Sequence, residues 1–277
     1  ILFPFIGDSI GGSHISAIDY YLELKKKNYK TKILLFRKDC YLAEYLNSKK
    51  IKFDVLELPI IGLDREIVKK FYKLFKGLSR ARNYLKKNEI TIVHTNDIRN
   101  HYSWSIWTIF LATHIWHQRT IWPKSIQFYF FLFFTKKIFC NSYYLFSKIK
   151  SKFIKKKSSI VGNILYKQKK HKFKKNNKII IGSFSNMQNI KRPDLIIKIL
   201  KEIISKKINI EIHCFGTDQN QLLKKYSEKI IYRRNFKYFG HKFNIINFMK
   251  KCNFVIATSE NDTLGRTILE AMSLGIP

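Results

Sequence analysis

Apolar runs of strand length alternate with segments of helical period along almost the whole chain. ILFPFI opens it, a helix is expected from Ser13 to Lys26, and then come TKILLFR, a helix near Leu42 and IKFDVLEL. The clearest helical period follows Asp64, where Ile67, Val68, Phe71, Leu74, Phe75, Leu78 and Leu85 form one apolar stripe. Lys69, Lys70, Lys73 and Lys76 fall on the other faces, so the stripe is expected to be the buried side. TIVHT, a helical apolar tract from Ser103, HIWHQ, a second apolar tract from Ile126, KKIFCNS and SSIVGN continue the alternation. From Lys148 to Lys178 there are thirteen lysines and no acid, and YKQKKHKFKKNNK has no period that would bury a face. Beyond it the pattern restarts with KIIIGSFS, a helix opening at Pro193, INIEIHCFG, a helix around Leu222, FKYFG, a helix near Ile245, CNFVIATS and a closing helix. Proline suits a first helical turn, which supports the start at Pro193. Such alternation predicts parallel sheets covered by helices. We expect an α/β protein of two doubly wound domains, over 1–165 and 178–277, joined by a basic linker over 166–177 and separated by a cleft.

Composition narrows the partners without naming one. The 277 residues are 45% hydrophobic, enough to fill two cores, while 53 Lys+Arg against 19 Asp+Glu give a net charge of +34. That excess draws a chain toward polyanions: nucleic acid, anionic lipid or phosphorylated substrates. Abundant Ile, Asn, Phe, Tyr and Lys are also what A/T-rich codons encode, and we assign roughly half of the excess to that bias. A nucleic-acid binder would need its lysines gathered on one surface with stacking aromatics. Here most lysines lie on polar helix faces, and no zinc-finger, RRM or KH signature occurs, so no nucleic-acid partner is expected. Cys40, Cys140, Cys214 and Cys252 make no C-x-x-C pair, which indicates neither zinc nor a disulfide framework and fits a cytoplasmic setting. No apolar tract approaches the ~20 residues of a membrane span. The tract from Ile126 reads as a buried helix or, with the basic linker, as a face for anionic lipid. The buried helix is favoured.

Candidate chemistry gathers in the last stretch, strand CNFVIATS, loop ENDTL, turn Gly265 and a helix from Arg266. In an open parallel sheet ligands bind beyond the carboxyl ends of the strands, where ENDTL lies. First-turn amides near Arg266 and Thr267 have no partner within the helix and favour an anion such as a diphosphate. Glu270, one turn beyond Arg266 on the same face, can accept from both hydroxyls of a ribose, and Asp262 from hydroxyls of another sugar. Alternatively, Asp262 is a turn or cap residue and Glu270 a solvated one. The order acid, amides, acid matches hexose, diphosphate, ribose. Gly11 and Gly12, opening the Ser13 helix, are turn punctuation or let phosphates approach the backbone. His94 and Asp97 end the strand of VHTND, where they would bind acceptor hydroxyls or, for Asp97, cap the next segment. His14 and His117 read equally as site or core residues.

The stretch DTLGRTILEAMSLGIP resembles the E-x7-E signature of retaining glycosyltransferases of family four, with Asp262 in place of the usual first Glu. IGGSHIS is similar to that family's glycine-rich opening loop. HTNDIRNHYSW and IWHQR are similar to segments of its surface-polysaccharide members, and IGSFSNMQNIKRPDLII to the start of its donor domain. The resemblance implies a GT-B fold of two Rossmann-like domains facing across a cleft. It implies hexose transfer from a nucleotide-diphosphate sugar to a saccharide or lipid-linked acceptor, with retention, in cell-surface polysaccharide or lipopolysaccharide synthesis. No metal or other cofactor is implied, in keeping with the lack of a D-x-D pair. The implied setting is cytoplasmic, with peripheral contact at the inner face of the cytoplasmic membrane. The implied catalytic residues are Asp262, Glu270 and His117, the last touching the donor sugar. Donor contacts would come from Lys191, Arg192, Gly240, His241, Leu264, Gly265, Arg266, Thr267 and Glu270, with Lys191 neutralising the departing diphosphate. Acceptor contacts would come from Gly11, Gly12, Ser13, His14, His94 and Asp97. Ser183 stands where the family has an arginine, which Arg192 or Arg266 would replace. Family members continue beyond such a Gly-x-Pro, so the second domain is expected to be incomplete at Pro277, a break and not a natural terminus; a stop directly after Pro277 would instead make activity doubtful. The alternatives are a GT-B nucleotide-sugar epimerase and a basic nucleic-acid-binding protein.

Overall fold

The computed structural model describes residues 1–8, 10–61, 66–166, 178–218, 221–223, 234–260 and 262–277. The linker expected over 166–177 and the helix expected around Leu222 lie almost wholly outside the described residues, as do Asp64 and Asn261. Two compact units divide the chain, Ile1–Ile164 and Leu165–Pro277.

The first unit is a sheet of seven parallel strands with helices on its faces. In chain order these are β1 (Leu2–Phe5), α1 (Gly12–Lys26), β2 (Lys32–Leu35), α2 (Tyr41–Ser48), β3 (Asp54–Val55), α3 (Ile67–Lys87), β4 (Ile92–Thr95), α4 (Ile98–Trp107), β5 (Thr113–Gln118), α5 (Ile126–Phe133), β6 (Lys137–Cys140), the one-turn helices α6 (Tyr143–Ser147) and α7 (Lys152–Lys156), and β7 (Ser158–Ile160). The strands lie in the order β3-β2-β1-β4-β5-β6-β7. Every residue of β1 is buried, as a strand covered on both faces requires. One core layer gathers Leu74, Leu85, Trp104, Trp107, Phe128 and Leu132 beneath α3, α4 and α5. The other gathers Phe3, Ile18, Leu35, Leu42 and Leu46 beneath α1 and α2.

Two helices depart from the sequence-based expectation. In α3 the buried arc is Lys70, Leu74, Gly77, Ala81 and Leu85, while Val68, Phe71 and Phe75 of the expected stripe are exposed; the side chain of Ile67 lies outside those described. At 100° per residue the centres of the two arcs lie roughly 110° apart. The core took the arc that admits close approach: a Cβ on Gly77 would stand 2.5 Å from the Trp107 ring, and the Trp107 indole N–H donates to Leu74 O at 2.9 Å. Lys70, expected to be solvated, is buried, with Nζ donating to Gln127 Oε1 at 2.6 Å. The tract from Ile126 is a buried helix along one face only: Phe128, Phe131 and Leu132 are enclosed, whereas Ile126, Tyr129, Phe130 and Phe133 are exposed.

The second unit carries β8 (Ile179–Phe184), α8 (Pro193–Ser205), β9 (Ile210–Phe215), β10 (Phe236–Tyr238), α9 (Ile245–Met249), β11 (Phe254–Val255) and α10 (Arg266–Leu274). Its parallel sheet runs β10-β9-β8-β11. Pro193 is the first residue of α8, whose Ile196, Ile197, Leu200 and Ile203 are buried at helical spacing. Each sheet contains the 3-2-1-4 order of a mononucleotide-binding half, so the α/β, doubly wound expectation holds for both units. Among the described residues no helix is long and apolar enough to cross a membrane.

Candidate functional site

In the second sheet the chain runs outward from β8 through β9 to β10, then returns to place β11 on the other side of β8. The loops after β8 and β11 therefore diverge at the carboxyl edge and leave a crevice, the switch point at which doubly wound sheets take ligands. Lys191 lies on the first loop, at the end of a single 3-10 turn, and Asp262 on the second. Their side chains meet, with Lys191 Nζ donating to Asp262 Oδ2 at 2.7 Å, and both keep solvent access at 28% and 36% of the side chain. One side-chain and one backbone contact hold the loops together: Thr258 Oγ1 donates to Lys191 O at 2.7 Å, and Glu260 N to Ile190 O at 3.1 Å.

Gly265 caps α10 and supplies no side-chain acceptor to the amides of the first turn, including those of Arg266 and Thr267. A Cβ built on Gly265 would lie 3.9 Å from Asp262 Oδ2, so the acid stands beside this helix start. Leu264 and Gly265 are half-buried. Thr267 Oγ1 donates to Phe184 O at 3.0 Å, which fixes α10 against the end of β8. One turn on, Arg266 Nε donates to Glu270 Oε1 at 2.7 Å, with the side chains 15% and 11% exposed. Glu270 is thus placed in an ion pair at the edge of the crevice and not in hydrocarbon. Arg192, with backbone in the left-handed region (φ 50°), grips Asp194 through two hydrogen bonds of 2.9 and 2.8 Å. Of the two arginines offered as replacements at the missing family position, Arg266 is the one on the α10 helix start.

At the ends of β9 and β10 the backbone is drawn tight. Gly216 has φ +129°, and a Cβ there would stand 2.2 Å from Ser185 O, so only glycine fits. Its N–H donates to Gly240 O at 2.9 Å, and Thr217 N donates to Asn186 Oδ1 at 3.0 Å. Gly240 has φ +65° and open space around it, and the exposed His241 ring packs edge-on to Phe243. Partial burial lowers the His241 pKa. Asn186 and Gly216 were missed from sequence; the one available signal was a glycine directly after the strand IEIHCF.

The first sheet has its own switch point, between β1 and β4. Gly11 caps α1 with extended backbone and no side-chain bond to the first turn, where Gly12, Ser13 and His14 lie. His14 is buried, and burial lowers its pKa against the opposing pull of Asp97 and Asp8. Asp97 caps α4, its Oδ1 accepting Arg99 N at 2.8 Å. Arg99 then spans the crevice: Nη1 and Nη2 donate to Asp8 at 2.5 and 3.0 Å, while Nε and Nη2 donate to Asp97, each at 3.2 Å. The Arg99 guanidinium holds the Asp8 carboxyl below the usual range. Asp8 and Arg99 were not foreseen, since DSI and DIRN give no local sign that they meet.

His117 is enclosed, where the sequence reading had it open to a ligand. It is fully buried, its Nε2 donating to Val161 O at 3.1 Å and its Nδ1 accepting from Arg119 Nη2 at 3.2 Å. Its ring stacks on that of His94 at 5.4 Å. Burial and the adjacent guanidinium hold His117 neutral, and burial takes His94 down to about 3. The physical reason is that β5 is an interior strand, so its side chains near the carboxyl end are covered by Tyr20 and Phe139. Arg119, also missed, ties this cluster to Asn96 and Asn163 at 2.8 and 2.5 Å. Among the described residues no group of three or more His, Cys, Asp or Glu is placed to hold a metal ion.

A search of the curated proteins by sequence finds no match. By structure the chain is similar over its full length to HepE from Anabaena, solved in complex with UDP and glucose, at TM-score 0.76 and 16% identity and covering 78% of that chain. It is similar over 99% of its length to a glycosyltransferase from Rickettsia africae, at TM-score 0.72 and 16% identity, covering 76% of that chain. It is also similar over its full length to WaaG, a glycosyltransferase involved in lipopolysaccharide biosynthesis, at TM-score 0.69 and 12% identity, covering 79% of that chain. The chain thus has the α/β fold of the GT-B glycosyltransferases, and residues 166–277, nearly all of the second unit, match the family model of glycosyl transferases group 1.

Proposed function

We propose that the protein transfers a hexose-type sugar from a nucleotide-diphosphate sugar to a saccharide or lipid-linked acceptor, with retention of configuration and without a metal. The observation that carries this reading is the ion pair of Lys191 and Asp262 across the switch point of the second unit, beside the start of α10, where Gly265 makes no side-chain cap. A diphosphate bound there meets an ammonium and first-turn amides, the two groups that best stabilise charge on phosphate oxygens. Glu270, one turn deeper, takes the ribose hydroxyls, and Asp262 takes hydroxyls of the transferred sugar. Gly240 and His241 flank the base. Acceptor groups bind the switch point of the first unit, among Gly11, Gly12, Ser13, His14, Asp97 and the newly found Asp8 and Arg99. His94 and His117 act as the buried support of that crevice.

In the reaction the bond from the sugar C1 to the diphosphate oxygen breaks and the acceptor oxygen bonds to C1 on the same face. The acceptor proton passes to the leaving phosphate oxygen, and Lys191 with the α10 amides stabilises the charge that remains. Support for the donor class comes from the likeness to HepE, solved with UDP and glucose, and support for a lipopolysaccharide or surface-polysaccharide role from the likeness to WaaG. On this reading the enzyme works in the cytoplasm, at the inner face of the membrane. The test is a thermal-shift panel of UDP, GDP, ADP and their sugars, since a ligand that binds only the folded state raises its melting temperature. One nucleoside diphosphate is expected to stabilise selectively; no shift with any of them at millimolar concentration would end the proposal. Proton NMR of the product anomer then decides retention.

A further inference from the structure

Three consecutive residues just past β7 are held by side chains from other parts of the first unit. Among the described residues β7 ends the sheet, and after Ile160 the chain leaves through Val161, Gly162 and Asn163 toward the boundary of the unit at Ile164. Val161 N still donates to Cys140 O at 2.9 Å. A connecting segment of this kind ordinarily runs over the surface and gives its carbonyls to water, and Gly162 is indeed exposed. Here, however, His117 Nε2 donates to Val161 O at 3.1 Å, the Tyr20 hydroxyl of α1 donates to Gly162 O, and Arg119 Nη1 donates to Asn163 Oδ1 at 2.5 Å. Two of these donors, His117 and Arg119, are buried.

All three bonds run through Arg119. The bond to Asn163 is its own. For Val161 the link is the tautomer of His117, which is held neutral. A guanidinium nitrogen only donates, so the 3.2 Å bond from Arg119 Nη2 makes His117 Nδ1 the acceptor and puts the ring proton on Nε2, the nitrogen that faces Val161 O. For Gly162 the link is a ring face: the guanidinium lies 5.8 Å from the centroid of Tyr20, whose hydroxyl holds that carbonyl, and the Tyr20 ring in turn lies against His117. The remaining arm, Nε, donates to Asn96 Oδ1 at 2.8 Å, directly before the α4 cap Asp97. A planar fork serves these separate acceptors at once, which the single ammonium of a lysine cannot do.

We propose that Arg119 is a latch: it fastens the strap Val161–Asn163 to the cluster of His94, His117 and Tyr20 and so fixes the direction in which the chain leaves the first unit. Arg119 acts here as a positioning residue. The latch works whatever the crevice binds and does not rest on the proposed sugar transfer, so either can fail alone. The experiment is nitrogen-15 relaxation on the 277-residue chain, read at the amides of Gly162 and Asn163, together with the nitrogen-15 shifts of the His117 ring. In the parent chain both amides should have order parameters of about 0.85, and His117 should carry its proton on Nε2. Arg119→Lys, which keeps the charge and loses the fork, should drop both amides below about 0.6 and abolish the single tautomer, with the amides of β5 and β6 unchanged. Asn163→Ala should loosen the strap while the tautomer stays. Order parameters already below about 0.6 in the parent, or a proton on Nδ1, would overturn the proposal. So would an Arg119→Lys chain that keeps a rigid strap, or one that loosens the whole sheet evenly, which is loss of fold and not of a latch. If Arg119→Lys does not fold, the double variant Tyr20→Phe with Asn163→Ala decides, since both side chains have solvent access: a strap as rigid as the parent's refutes the latch.

Discussion

Replacing Glu270 by Gln separates the observed ion pair with Arg266 from the ribose contact proposed for the same carboxylate. Shape is kept, but one acceptor oxygen becomes an amide donor, and Arg266, 15% exposed, loses the charge that balances it at 2.7 Å. Exposed pairs contribute about 0.2–1 kcal/mol, and breaking a fully enclosed pair costs about 3–5 kcal/mol. With side chains at 15% and 11% exposure the pair lies between these limits. We take about 2 kcal/mol, which in a unit of this size lowers the melting temperature by about 8 °C. Ribose binding makes a second, separable demand. Hydrogen bonds to a charged group contribute about 1.5–3 kcal/mol, so UDP should bind roughly ten- to a hundredfold more weakly. Inorganic pyrophosphate, which has no ribose, should bind as before. Isothermal titration of UDP and pyrophosphate beside a melting curve reads both effects. A lower melting temperature with unchanged UDP affinity would refute the reasoning and leave Glu270 as a positioning residue for Arg266 alone.

Three further outcomes are expected. Asp262→Asn frees Lys191 from its carboxylate, so UDP affinity should hold or rise while turnover falls by at least roughly tenfold; loss of UDP binding with turnover intact would contradict the assigned roles. Gly77→Ala should destabilise the first unit by up to about 2 kcal/mol net, because overpacking of about 1–3 kcal/mol against Trp107 and Pro59 outweighs the ~1 kcal/mol that Ala gains over Gly in a helix; urea unfolding measures the sign. His94 and His114 are buried and neutral, with pKa values lowered from 6.5 to about 3 by burial. The unfolded chain takes up those protons first, so stability is full above about pH 6.5 and falls as the pH drops from there toward 3, by about 1.4 kcal/mol per pH unit for each histidine. Unfolding curves at pH 7.5 and 5.5 should differ, and superimposable curves would show that these histidines titrate normally in the fold.

How much of this was legible in the sequence depended on whether the signal was local. Strands such as TIVHT and KIIIGSF are continuous apolar runs bounded by turns, and they emerged as β4 and β8. The closing motif was legible because turn, helix start and both acids lie within nine residues, so local geometry alone put Glu270 a turn beyond Arg266. Lys191 was placed by its position between a strand and Pro193, and its partner Asp262 lies 71 residues away. Periodicity misled in α3, because it counts apolar residues without knowing which arc the neighbouring helix will accept. Trp107 chose the arc containing Gly77 and Lys70, a fact held on α4 and not on α3. The Asp8–Arg99 bridge joins residues 91 apart. His117 looked available at a strand end; Val161 and Arg119, which engage both its nitrogens, became visible only once the sheet was assembled.

Among the described residues each sheet is built from one stretch of chain, with no strand borrowed from the other half. Splicing at the boundary near residue 165 therefore leaves every backbone ladder whole. A lineage could exchange the front half for one with a different crevice and keep the strand pairing of the back half intact; on the proposed function that would alter the acceptor side and spare the donor side. Diversification by such recombination needs no compensating changes within either sheet, and this contiguity makes it accessible in a single genetic event.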